Sequence, residues 1–155
     1  MINLQLFAVS GRKARAYVAL ATEGDELTPP ADENFTLVDD LTEVSMSPSA
    51  DNQDITKLGN DWVNRVSGIR DCSTSMSGYQ NHDDLGQKKI WAAFMQDRYI
   101  WVRYYLEGTR GFQQCSLVSS PGEPSSSADG TNEASFEFDG HGELKLVGID
   151  LTGVE

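Results

Sequence analysis

Hydrophobic and polar positions alternate with a period of two along much of this chain, most clearly in YIWVRYYL, Tyr99 to Leu106. Tyr99, Trp101, Arg103 and Tyr105 share one face of that segment, and Ile100, Val102, Tyr104 and Leu106 share the other. Both faces are largely apolar and rich in aromatic and β-branched residues, which predicts a central strand. A glycine-containing connection, Glu107 to Gly111, leads into Phe112 to Ser120, and the two runs predict a β-hairpin. Near the C-terminus, Ala134, Phe136 and Phe138 alternate with Ser135 and Glu137. Gly140-His141-Gly142 then predicts a turn, and Glu143 to Leu151 a returning strand. Upstream, Ile2 to Val9 and Ala14 to Ala21 read as strands on either side of Gly11. Trp62 to Ser67 and Ile69 to Ser77 read as two short strands broken at Gly68.

The period changes between Asp84 and Gln96. Ile90, Ala93, Phe94 and Asp97 fall at helical spacing, and Trp91 and Met95 widen the apolar face, so this segment is predicted as an α-helix. One helix among about eight strands gives a β-rich α+β domain. Three stretches carry no period. Glu23 to Asn34 is an acidic loop containing Pro29-Pro30, Ser45 to Asn60 is long and polar, and Ser119 to Asn132 is a Ser-, Pro- and Gly-rich loop. Loops of this length in a compact domain are usually functional or disordered.

At 155 residues the chain is expected to be one domain, 1–155, burying about two thirds of the surface its unfolded form exposes. No run of eighteen apolar residues is present, which argues against a membrane span. The basic residues of MINLQLFAVSGRKARAY follow the apolar ones, the reverse of a secretory signal, so the expected setting is a cytoplasm. Cys72 and Cys115 are too few for a disulfide framework and are expected as reduced, small apolar side chains. Charge is the most informative total. Twenty-four acids against twelve bases give −12, distributed as +3 over residues 1–20, −10 over 21–61, +2 over 62–119 and −7 over 120–155. So acidic a chain does not hold nucleic acid through phosphate contacts.

His82-Asp83-Asp84 is the stretch that looks most like a metal or proton-transfer site. A simpler reading has Asp84 and Gln87 as a capping box, with Asp83 and Asp84 favoured by the positive end of the helix dipole. The only other histidine is His141, and neither HExxH nor CxxC occurs, so no metal, cofactor or catalytic residue is assigned. Asp51-Asn52-Gln53-Asp54 and Asp129 to Glu133 faintly resemble calcium loops but depart from EF-hand spacing and read as solvated acidic turns. No GxSxG or phosphate-cradling glycine motif is present, and Trp62, Trp91 and Trp101 lie in apolar patterns that predict core positions. The residues alone therefore describe a non-enzymatic, acidic, β-rich domain.

Ser67 to Gly108 adds a resemblance. A strand reaching GIRD (Gly68 to Asp71), the strand end SMSG (Ser75 to Gly78), the helix start DDLGQ (Asp83 to Gln87) and the strand Tyr99 to Leu106 follow in an order similar to that of the major tail tube proteins of long-tailed phages. SFEFDGHGEL, Ser135 to Leu144, also fits. The resemblance implies a β-sandwich or barrel-like domain with one flanking helix and long inter-subunit loops. It implies a homo-oligomer of stacked hexameric rings, bound to other tail proteins, in a virion tail assembled in the host cytoplasm. Double-stranded DNA would pass through the lumen without specific binding. Asp83, Asp84 and Gln87 would then be structural. Ser45 to Asn60, with Asp51, Asp54 and Lys57, is the first candidate for contact between rings, and Glu23 to Asn34 the second. The alternatives are a β-sandwich carbohydrate- or calcium-binding module and a single-ring tail terminator or completion protein.

Overall fold

A computed structural model describes residues 13–122, 126, 128, 130 and 132–154. The predicted strand Ile2 to Val9 and its turn at Gly11 lie outside the described residues, as does part of the Ser119 to Asn132 loop. The elements run β1 (Arg15–Leu20), β2 (Thr36–Leu37), β3 (Leu41–Ala50), β4 (Gln53–Asp54), β5 (Arg65–Val66) and β6 (Arg70–Tyr79). Then come α1 (Leu85–Met95), β7 (Ile100–Glu107), β8 (Arg110–Ser120), β9 (Glu133–Gly140) and β10 (Lys145–Val147). Eight strands form one antiparallel sheet in the order β2-β1-β7-β8-β9-β6-β3, with β10 pairing the first part of β8, while β4 and β5 pair only with each other.

Alternation decides which side chains enter the core. In β7, Ile100 and Val102 join Ala16 and Val18 of β1, Met76 of β6, Phe136 and Phe138 of β9, and Ile90 and Ala93 of α1 in one buried cluster. Val44 and Met46 of β3 pack on the same cluster although β3 and β1 stand near opposite ends of the strand order. The sheet is therefore rolled, with α1 against its concave face. The expected sandwich or barrel-like shape takes the form of this single curled sheet. Each fully buried large side chain here contributes roughly 1.5–3 kcal/mol.

The other face of β7 is also covered, as its two apolar faces predict. Trp101, Ala19, Ala21 and Cys115 form a second buried cluster, joined at its margin by Phe35 and Tyr99. Both cysteines are free and buried.

Several sequence expectations need correction. Ser45 to Ala50 is strand rather than loop: it forms the second half of β3, paired through to Ser75–Arg70 of β6. Its Ser- and Pro-rich sequence hides this because Met46 alone of these six residues touches the core, while Pro48 sits in a strand at the sheet's margin, where a missing N–H is tolerated. Trp62 to Ser67 contracts to the two-residue β5, and Glu143 to Leu151 contracts to Lys145–Val147. Trp62 is 85% exposed rather than core. Asp97 does not belong to the helical face. It stands past the helix end at φ 51°, where the Arg98 N–H bonds the Ala93 carbonyl at 2.9 Å and closes the helix in a Schellman arrangement.

Candidate functional site

The turn before α1 resolves the question of His82-Asp83-Asp84. Asp84 is the N-cap, and its carboxylate accepts from the backbone N–H of Gln87 at 3.2 Å. The same oxygen accepts from the Asp39 N–H at 3.3 Å, so the cap also ties the helix to the segment between β2 and β3. The reciprocal half of the capping box is not made. Gln87 instead reaches further back, its Oε1 accepting from the Asn81 N–H at 3.0 Å and its Nε2 donating to the Tyr79 carbonyl at 3.0 Å. Asp83 is exposed, and its N–H donates to Asn81 Oδ1. His82 is exposed, and among the described residues no carboxylate is hydrogen-bonded to it. The motif is a helix start in which Asp84 and Gln87 each do a different structural job. Among the described residues, no group of three or more His, Cys, Asp or Glu side chains could hold a metal ion.

The polar stretch after β3 proves to be an ordered arm. Residues 51–69 continue the β3/β6 hairpin: the Asp51 N–H bonds the Ile69 carbonyl at 2.9 Å, β4 pairs β5, and the Ile55 N–H bonds the Asn64 carbonyl at 2.9 Å. Gly68 is required at the arm's base, because a Cβ there would stand 1.4 Å from the Asp51 carbonyl oxygen. Asp54 caps the turn through the Thr56 N–H at 2.8 Å, and donors from Thr56, side chain first, hold its carboxyl below the ordinary carboxylate range. The structure thus brings Asp51, Asp54 and Lys57 together on one projecting arm. Leu58, Trp62 and Ile69 on the same arm are largely bare, as are Ile55, Val63 and Val66 to about half.

The acidic loop between β1 and β2 behaves differently from the arm. It folds back over the outer face of its own sheet, where Trp101 Nε1 donates to the Glu26 carbonyl at 2.9 Å. Arg103 lies 3.8 Å from the Phe35 ring centroid and bonds Asp32 at 3.0 Å. Its Nε and Nη2 both donate to Gln113 Oε1, at 3.0 and 2.9 Å, and its Nη1 donates to the Tyr105 hydroxyl at 3.1 Å. Sequence pattern misses this cluster because Arg103 occupies one slot of an otherwise apolar alternation; a cation in that slot was the available signal.

The helix carries the third surface. Gly86, Gln87, Ile90 and Ala93 face the core, but Met95 is 72% exposed, Phe94 and Leu85 are about half exposed, and Trp91 is half-buried. The predicted widening of the core face by Trp91 and Met95 is therefore incorrect; at i and i+4 they lie on the outer side of the helix, with Lys88 one turn earlier. Gln80, Asn81, His82, Gln87, Lys88 and Trp91 line a hollow of about 270 Å³ there. A second hollow, about 250 Å³, lies at the opposite end of the sheet between Met46, Pro48, Tyr104, Leu106, Phe112 and Leu144.

No family model and no curated protein sequence matches the chain. Among solved structures, a chain of the virion of a native gene transfer agent particle is similar with a TM-score of 0.72 at 17% identity, over 90% of this chain and 98% of that one. A chain of the tail of an empty gene transfer agent particle, refined helically with C6 symmetry, gives 0.67 at 18% identity over 81% and 98%. The SPP1 tail tube gives 0.71 at 17% identity over 92% and 81%. Similarity at these identities defines a shared fold, and it extends over most of the chain, beyond the Ser67 to Gly108 core that carries the sequence resemblance.

Proposed function

We propose that this chain is a structural tail tube subunit, a single domain that assembles into stacked hexameric rings within a virion tail put together in the host cytoplasm. The observation that carries the reading is the fold agreement over most of the chain with the SPP1 tail tube and with a tail solved in C6 symmetry. In this role the chain is no enzyme and takes no cofactor; Asp83, Asp84 and Gln87 shape the helix start, and its partners are further copies and other tail proteins.

Charge supports a conduit for double-stranded DNA. Basic walls would trap a polyanion through phosphate contacts, whereas acidic walls let it slide. Six copies at −12 give −72 per ring. Assembly must offset that repulsion, which the +3 N-terminal and +2 central segments do by meeting acidic loops of neighbours. The arm, with Asp51, Asp54 and Lys57, makes the contact between rings.

Negative-stain electron microscopy of the purified protein across a concentration and salt series tests the reading. Rings and hollow tubes are expected, with stacking weakened as ionic strength rises. A protein that stays monomeric at every concentration and salt overturns it, and tubes indifferent to salt overturn the charge argument alone. Replacing residues 52–67 by a short turn should leave a folded subunit that no longer stacks.

A further inference from the structure

Two apolar surfaces have no partner within the described chain, and they lie at opposite ends of it. One is the arm, where Leu58 is fully exposed and Trp62 and Ile69 nearly so. The other is the outer side of α1, where Trp91 and Met95 form an apolar stripe beside Lys88. A helix with apolar side chains on both its inner and outer faces is the pattern of a buried helix rather than a surface one. Contiguous exposed apolar surface of this kind marks an interaction site.

Strand β6 fixes the geometry. It starts at Arg70, at the base of the arm, and ends at Tyr79, whose carbonyl accepts from Gln87 of α1. Ten extended residues, about 30 Å at roughly 3.3 Å each, therefore separate the arm's root from the helix. Residues 51–58 continue the hairpin beyond the end of β3, reaching at most about 25 Å further. Copies stacked with one polarity make a heterologous contact, in which one end of a subunit meets the opposite end of the next. The arm then faces the helix end of its neighbour, and the neighbour's pocket at Met46 and Phe112 lies at its far end, away from that contact.

We infer that the arm tip of one copy docks on the outer face of α1 of the next copy, Leu58 and Trp62 packing on Trp91 and Met95 while Asp61 approaches Lys88. This rests on the stacked-ring reading. Charge favours the pairing: residues 51–63 hold Asp51, Asp54 and Asp61 against Lys57 alone, and Lys88 borders the hollow at the helix. The arm supplies the buried aromatic anchor that dominates most interfaces, and Lys88 selects the register.

The test joins Leu58→Cys with Met95→Cys in the full chain and treats tubes and dispersed subunits with a short bismaleimide; the native Cys72 and Cys115 are buried. Cross-linked ladders from tubes, absent from dispersed subunits and from a Leu58→Cys/Leu106→Cys control, are the expected result. Tubes that form normally but link Leu58→Cys only to Leu106→Cys, or to neither, overturn the inference while leaving the tube reading intact. A wild-type chain that forms no tubes overturns both. Independently, Trp62→Ala should raise the protein concentration needed for tube formation about thirtyfold, with an unchanged thermal melt of the subunit. Lys88→Glu should raise it about tenfold, and Asp61→Lys in the same chain should restore it; failure of that restoration overturns the proposed register.

Discussion

Among the described residues, Arg103 is the buried cation whose partners can be separated experimentally, because they differ so much in exposure. Its side chain is 7% exposed, whereas that of its ion-pair partner Asp32 is 89% exposed. Gln113, which accepts two of its hydrogen bonds, is itself buried. An ion pair with one partner in water is worth no more than about 1 kcal/mol, and salt screens it. Two buried bonds to a charged donor are a different matter, since removing the acceptor leaves Nε and Nη2 desolvated with no acceptor, at a cost of about 2–4 kcal/mol. Gln113→Leu should therefore lower the midpoint of urea unfolding by an amount equivalent to about 3 kcal/mol, or about 6–12 °C in Tm for a chain of this size. Asp32→Ala should cost under about 1 kcal/mol and lose even that in 1 M salt. Combining Gln113→Leu with Arg103→Met should recover much of the loss, since an apolar pair of similar volume leaves nothing unsatisfied. Equal losses for Gln113→Leu and Asp32→Ala, or a double variant whose losses simply add, would refute this account of the cluster.

The other expectations concern the helix and the cysteines. Asp84→Ala removes the acceptor for both the Gln87 and Asp39 N–H groups and should cost about 1–2 kcal/mol in chemical unfolding, whereas Asp83→Ala, one residue earlier and exposed, should stay within about 0.5 kcal/mol. Gly86→Ala reverses the usual helical preference: in place of a gain of up to about 1 kcal/mol it should destabilise, because the new Cβ would stand 2.8 Å from the Leu37 carbonyl oxygen and 2.9 Å from Val38 Cα. Burial pushes the Cys115 thiol up to about 11, with the Glu26 charge adding to the effect. Folding thus favours its neutral form, a contribution present below the unfolded value of 9.0 and lost as pH rises from there through about 11. Labelling by a maleimide at pH 8 should accordingly follow unfolding; rapid labelling of the native subunit would contradict the burial.

Strands rich in aromatic, β-branched or alternating apolar residues were legible from the sequence alone. Tyr99 to Leu106, Phe112 to Ser120 and Ala134 to Phe138 all pack as their alternation dictates, and the helix begins at the residue the cap chemistry names. What escaped was structure stabilised by something other than burial. The second half of β3 has almost no apolar side chain and is strand because β6 offers it a full ladder, including the Ser45–Ser75 hydroxyl contact at 2.9 Å. Composition reads such a segment as loop, since propensity scales register packing and this strand has little. Trp62, Trp91 and Met95 failed in the opposite sense. Apolar spacing finds faces that want covering, and it cannot tell a cover within the chain from one supplied by another molecule. The candidate arm residues Asp51, Asp54 and Lys57 were named as a set from charge and position, but the ordered hairpin under them depends on long-range pairing from residue 51 to residue 69, which no local signal reports.

That distinction also separates the two extensions proposed for contact between rings. Glu23 to Asn34 carries five of the chain's acids and looked free, yet the carbonyl of Glu26 is committed to Trp101, the Phe35 ring to Arg103, and Lys89 of α1 closes the far side by donating to the Asn34 carbonyl at 3.1 Å and the Thr36 hydroxyl at 2.6 Å. Releasing this loop would expose Trp101 and take Asp32 and the Phe35 ring away from a buried guanidinium, so it acts as a wall of the subunit. The arm carries no such debt: β4 and β5 pair with each other alone, and its apolar side chains are already in water. Docking it on a neighbour removes apolar surface from water without breaking any contact inside the donor. Of the two acidic segments, only the arm can reach another copy at no cost to the fold that presents it.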